Sequence, residues 1–222
     1  MAKQTHSLED VKTMNLTIFG ATGGTGQELV KQALAAGHKV TAYVRNPAKM
    51  AQTSEALTVV QGEMNEPDKM TQAITGADAV ISALGPTSNT PERPLTAGMA
   101  YIVAAMKEAG VSRLIAATGA GVADPNDKPQ LIGRLFGLAL RLFAKHVLAD
   151  SQGMVTAVRN SGLDWTLARA PRLHDKPTNG KIRVGYAGQG PGTQLARPDF
   201  ARFMLAQLES EEWINKAPMI SN

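Results

Sequence analysis

The chain's 222 residues suffice for one large α/β domain or two small ones, and a hydrophobic share of 43% with 19% charged residues excludes a disordered chain. The absence of cysteine removes disulfides, thiolate nucleophiles, zinc–thiolate sites and iron–sulfur clusters. With 23 basic and 19 acidic residues the net charge is +4, and only 5% of residues are aromatic, a balance that suits an anionic small molecule and argues against nucleic acid as a partner.

Met1 to Leu16 holds no apolar core of signal-peptide length, and no later stretch is long and apolar enough to span a membrane, so a cytoplasmic protein with no membrane span is expected. Residues 1–14 read as a flexible tail and 15–222 as one domain. A first strand, Leu16 to Phe19, runs through glycines into a helix from Gly24 to Ala36. Short apolar strands follow at Lys39 to Val44, Leu57 to Val60, Ala79 to Ala83 and Leu114 to Thr118, with helices at Glu66 to Thr75 and Pro94 to Glu108. Beyond a Pro- and Asp-rich loop at 124–129, a long apolar helix is expected from Gln130 to Asp150 and a further one to Asn160. A sixth strand at Trp165 to Arg169, a seventh at Lys181 to Tyr186 and a last helix at Arg197 to Leu208 complete the pattern. Strands alternating with helices predict an α/β, doubly wound parallel sheet.

Gly20-Ala-Thr22-Gly23-Gly24-Thr25-Gly26 follows the first strand and opens the first helix. Glycine there permits a sharp turn and close backbone approach to a pyrophosphate, while the helix N-terminus offers free N–H groups and partial positive charge. The spacing G-x-x-G-x-x-G departs from G-x-G-x-x-G, but its strand-to-helix setting points to a Rossmann-type dinucleotide site. At the end of the second strand, where an NAD-selective protein places an acid on the ribose, this chain has Arg45-Asn46. A guanidinium fork matches a 2′-phosphate, so NADP(H) is the expected cofactor. Glu63 and Met64 after strand three are expected beside the adenine, with Gly62 approaching it closely. Leu84 and Gly85 after strand four are expected beside the central ribose, and Thr118 and Gly119 after strand five beside the nicotinamide.

Together with Ser161-Gly162-Leu163, Ala170-Pro171 and the 180–202 region, these residues make the chain resemble the atypical short-chain dehydrogenase/reductase proteins, and more closely the flavin reductase/biliverdin-IXβ reductase family. The resemblance covers 15–208 and implies a single NAD(P)-binding domain with small C-terminal elements over the substrate. It implies NADPH-dependent hydride transfer to a planar, anionic acceptor, either a flavin such as FMN or a biliverdin-like tetrapyrrole. Monomer or weak homodimer is the expected state.

Departures from the family narrow the chemistry. The Tyr-x-x-x-Lys acid pair is missing: Tyr43, Tyr101 and Tyr186 are followed four residues on by Pro47, Ala105 and Gly190. Where the resembled reductases carry a serine after strand five and a histidine after the strand-six proline pair, this chain has Gly119 and Arg172. Pro171 and Arg172 are nonetheless expected at the cofactor. Arg172 is the candidate for binding a carboxylate, phosphate or developing anionic ring, unless it pairs with Asp175; Thr118 is a candidate hydrogen-bond donor and His174 a candidate acid.

Arg134, Arg141 and Lys145 form a basic stripe on the apolar 131–148 helix, compatible with a lid, a subunit contact, a membrane surface or an anionic ligand. The four histidines are too widely spaced for a metal site, and Asp150-Ser151, though reminiscent of a triad fragment, has no G-x-S-x-G elbow. The competing function is an NmrA-like regulator that senses NADP(H) without turning it over.

Overall fold

The computed structural model describes residues 12–86, 89–128, 144–178 and 180–222. Five strands, β1 (Asn15–Phe19), β2 (Lys39–Val44), β3 (Leu57–Gln61), β4 (Ala79–Ser82) and β5 (Arg113–Gly119), alternate with helices α1 (Gly24–Ala35), α2 (Pro67–Ile74) and α3 (Pro94–Glu108). After α4 (Lys145–Arg159) come β6 (Asp164–Ala170), β7 (Arg172–His174), β8 (Arg183–Gly185), β9 (Gln194–Ala196), α5 (Arg197–Ala206) and β10 (Met219–Ser221). The main sheet has the order β3-β2-β1-β4-β5-β6-β10-β8, parallel throughout except for β8 against β10. This is the expected doubly wound sheet.

Central strands read as unbroken apolar runs because both faces are covered. Alternation sends Val80, Leu114 and Leu167 to one core with Met70, Ile102 and Met154 of α2, α3 and α4. It sends Ile81, Ile115 and Ala168 to the other, with Leu29 of α1 and Phe200 of α5. Strand order reverses beside β1, leaving a crevice between the carboxyl ends of β1 and β4.

Two expectations need correction. The predicted seventh strand is shorter, runs antiparallel and lies at the sheet edge; the strand beside β6 is β10, drawn from the last residues of the chain. No helix boundary falls at Asp150, because α4 runs unbroken through it, and its carboxylate is occupied elsewhere: it accepts the Leu95 and Thr96 N–H groups (3.0 and 2.8 Å) and the Thr96 hydroxyl (2.8 Å). Asp150 is thus a cap for the start of α3, not a catalytic acid. Of the basic stripe, Lys145 opens α4, whereas Arg134 and Arg141 lie outside the described residues.

The loop following β5 is held by two ion pairs. Arg169, 1% exposed on β6, donates through Nη1 and Nη2 to Asp127 at 2.7 and 2.6 Å, through Nε to the Ala217 carbonyl at 2.8 Å and through Nη1 to the Val122 carbonyl at 3.1 Å. Arg159 of α4 pairs with the buried Asp124. Burial works against the Asp127 carboxylate, but hydrogen bonds and charge from Arg169 outweigh it and hold its pKa below the ordinary value. A depressed folded pKa contributes stability that is complete above the ordinary carboxylate range and is lost as pH falls through the folded value. Asp127→Ala, which strands the buried guanidinium, is expected to cost about 3 kcal/mol at neutral pH in urea unfolding, with the deficit shrinking near pH 3. A loss under about 1 kcal/mol would show that the pair does not hold this loop.

Candidate functional site

The chain turns sharply after β1 at Gly20, whose φ of +76° lies in the left-handed region; a Cβ there would also stand 2.8 Å from the Ala83 carbonyl carbon. The Gly23 N–H closes the turn on the Gly20 carbonyl at 3.0 Å, and the Thr22 carbonyl accepts from Gln27 Nε2 at 3.1 Å. Gly26 lets α1 sit directly against the turn, since its Cβ would overlap the Gly20 carbonyl oxygen. Among the described residues no side chain caps α1, and no acidic residue stands in its first turn, which leaves its leading N–H groups and positive dipole end for an anion.

Beyond the turn, a cleft of about 220 Å³ opens at the carboxyl ends of β4, β5 and β6. Thr25 of α1, Leu84 and Gly85 after β4, Thr118 and Gly119 of β5 and Pro171 after β6 line it together. Thr118 is its polar centre. The residue is 9% exposed, and its Oγ1 is buried without a hydrogen-bond partner among the described residues. Such an orphan costs about 1–3 kcal/mol unless a ligand satisfies it.

Gly85 has no atom within 4 Å of where a Cβ would stand, and Gly119 meets only the Gly121 nitrogen, at 4.0 Å. Both positions are open, and both residues line the cleft. Glycine turn, orphaned hydroxyl and glycine-lined floor fit a dinucleotide whose backbone contacts are close and whose nicotinamide end meets one hydrogen-bonding group.

Residues that sequence reasoning did not assign complete the walls: Ser151 and Met154 of α4, Leu173 of β7 and Phe200 of α5. Ser151 follows the capping Asp150, so the contact that docks α4 on α3 also brings its buried hydroxyl-bearing side chain to the cleft. Gly153 permits that docking, because a Cβ would overlap the Thr96 hydroxyl.

At the far end, Arg45 is exposed and forms no ion pair among the described residues. The Asn46 side chain accepts the Ala48 N–H at 3.1 Å and shapes the short 3-10 turn Pro47–Lys49 beside it. Gly62 is required by a protein group, since the Tyr43 hydroxyl fills the place of its side chain and donates to the Glu63 carbonyl at 2.8 Å. Burial, then the charges of Glu66 and Glu63, push the Tyr43 phenol up to about 12. The Glu63 N–H donates to Glu66, and Met64 packs against Gly98 of α3.

Arg172 is exposed at the start of β7 and does not line the cleft; strand alternation puts it on the face opposite Leu173. The expected alternative of an Arg172–Asp175 pair is replaced by an Arg197–Asp175 pair. His174 is half-buried, with Nδ1 accepting the Lys176 N–H at 3.2 Å.

A second cleft, of about 440 Å³, lies at the amino ends of β1 to β3 and includes Thr17, Thr41 and Thr58. It is larger, but none of the unpartnered buried polar atoms among the described residues lines it, and the glycine turn lies at the other end of the sheet. The smaller cleft is therefore the candidate site.

Thr118→Val keeps the shape and deletes the orphaned hydroxyl. The ligand-free variant is expected to equal the parent or exceed it by about 1 kcal/mol in urea unfolding, because no protein hydrogen bond is lost. A loss above about 1 kcal/mol would mean that the hydroxyl already has a protein partner.

A family model described as NAD(P)H-binding matches residues 20–211. An uncharacterised chloroplastic protein of Arabidopsis thaliana is 30% identical over 187 residues, covering 78% of this chain and 64% of its own length. The dihydroflavonol 4-reductase of Hordeum vulgare is 31% identical over 132 residues, covering 52% of this chain and 37% of its own, so the chain spans between about a third and two thirds of these relatives. Among solved structures, a short-chain dehydrogenase/reductase of Veillonella parvula in complex with NADP superposes with a TM-score of 0.76 at 22% identity, covering 95% of both chains. A proposed NADH-flavin reductase of Streptococcus pneumoniae superposes with a TM-score of 0.71 at 20% identity, covering 94% of this chain and 99% of its own. The chain therefore belongs to the NAD(P)H-binding family, with the Rossmann-type fold of the short-chain dehydrogenase/reductases.

Proposed function

We propose that the protein is an NADPH-dependent oxidoreductase that reduces a planar conjugated acceptor, a flavin such as FMN or a biliverdin-like tetrapyrrole. The observation that carries this reading is the buried, unpartnered Thr118 hydroxyl at the carboxyl end of β5, in the cleft that opens beside the glycine turn. The leading N–H groups of α1 bind the pyrophosphate, and Arg45 forks onto the 2′-phosphate in place of the acid that NAD selection needs. Leu84, Gly85 and Pro171 pack along the bound cofactor, with Glu63 and Met64 at its adenine end. Thr118 fixes the ring end through its hydroxyl. When bound, the nicotinamide supplies a hydride, and the acceptor takes up that hydride together with one proton from solvent.

The protein's part in the chemistry is alignment and exclusion of water. No tyrosine lines the cleft among the described residues, and the Tyr43 phenol, pushed up to about 12, stays protonated and tied to Glu63. A carbonyl reduction needs an acid at the oxygen as the hydride arrives; a conjugated ring that delocalises the charge does not. This preference for a delocalising acceptor agrees with the fold shared with the proposed NADH-flavin reductase. The missing tyrosine acid equally favours the second reading, a cofactor-sensing regulator without turnover.

Following NADPH oxidation with FMN, FAD, biliverdin and small quinones separates the two. Turnover with at least one planar acceptor is expected, and tight NADPH binding with no turnover across the panel would favour the sensor. Arg45→Ala is expected to weaken NADPH binding about tenfold or more while changing NADH binding less than about twofold. Equal effects on both would remove Arg45 from the 2′-phosphate.

A further inference from the structure

One cation stands over the glycine turn without having been assigned to it. Arg197 opens α5, far from the turn in sequence, yet its side chain lies directly on Gly24: a Cβ there would stand 2.8 Å from Nε and 2.9 Å from Cδ of Arg197. Its position is set from the opposite side. β7 and β9 pair in the register Arg172↔Gln194, Leu173↔Leu195, His174↔Ala196, and Asp175 and Arg197 follow directly after the last pair. Both carboxylate oxygens of Asp175 accept from Nη1, at 2.8 and 2.7 Å. Nε and Nη2 make no hydrogen bond to any described residue. The guanidinium is therefore held by one nitrogen, with its remaining donors left beside the uncapped N-terminus of α1.

We propose that Arg197 is a ligand of the dinucleotide's bridging pyrophosphate and that Asp175 is the positioning residue that aims it. The inference rests on the cofactor reading above and adds to it a charged group that the glycine motif does not contain. Neutral N–H groups at a helix end carry only partial charge, whereas a pyrophosphate brings two full negative charges, and a guanidinium supplies a charge-assisted partner. The arrangement also joins two parts of the site. Leu173, between Arg172 and His174 on β7, lines the cleft, so the strand that carries Asp175 toward the phosphates also forms part of the wall at the ring end.

The test compares NADP⁺ with adenosine 2′-monophosphate, which keeps the 2′-phosphate and lacks the pyrophosphate, by calorimetric titration of the full chain. Arg197→Ala is expected to weaken NADP⁺ about tenfold and to leave adenosine 2′-monophosphate within about twofold. Asp175→Ala is expected to weaken NADP⁺ about threefold, again sparing the smaller ligand. Arg197→Gln serves in place of the alanine variant if that one is poorly folded, with the same expectation. Unchanged NADP⁺ affinity in the Arg197 variants, or an equal loss for both ligands, overturns the proposal. If the parent protein binds adenosine 2′-monophosphate and NADP⁺ while the Arg197 variants do not differ, the cofactor reading stands and this inference alone fails; if the parent binds neither, both fail.

Discussion

A single buried charge organises the half of the molecule that covers the site. Arg169 extends from β6 into a space where water cannot reach it, and the groups that satisfy it come from two other segments: Asp127 and Val122 after β5, and Ala217 before β10. Asp127 in turn accepts the Ala187 N–H at 2.9 Å, which ties in the turn beyond β8. Each donor of a buried guanidinium left unpaired adds a desolvation penalty, which is why these segments are held together around Arg169. The loop that follows Thr118 and Gly119 is thus held at its far end by Arg169 and, through Asp124, by Arg159. The orphaned hydroxyl lies where these anchored segments leave a gap.

The cofactor end is built by a different constraint, close approach of backbone to backbone. Gly20 and Gly26 are glycines because the turn, the end of β4 and the start of α1 occupy the space their side chains would need. Gly85 and Gly119 are open for the opposite reason: no protein atom fills that space. Positions of the first kind are explained by the packing of the turn itself, and those of the second kind leave the cleft floor open. The larger cleft at the other end of the sheet is the weaker candidate: it has volume, but the helix N-terminus and the unsatisfied group are elsewhere.

Much of this was legible in the sequence. Parallel strands buried on both faces produce apolar runs, and α3 from Pro94 to Glu108 and β2 from Lys39 to Val44 lie where pattern and punctuation set them. What escaped was non-local. β10 is three residues long and becomes a strand only because β6 and β8 flank it. Asp150 caps a helix that starts 56 residues earlier in the chain, and Arg197 reaches Gly24 from a helix packed beside α1 but distant in sequence, so neither has a local signature. Arg169 looked like the polar end of a strand; its burial follows from partners on loops whose placement no periodicity encodes. Arg172, by contrast, stood out as a charged residue beside a strand end, but alternation along β7 gives the cleft Leu173 instead.

The proposed function depends on one placement, that of the dinucleotide at the carboxyl ends of β1, β4, β5 and β6. Amide hydrogen exchange with and without NADP⁺ tests it most directly, because it reads every backbone segment at once. Slowed exchange is predicted at 20–26, 83–86, 117–119 and 170–173, with no change at 15–17, 39–41 or 56–58. Protection confined to the latter segments, or none in the glycine turn at saturating NADP⁺, would contradict the account.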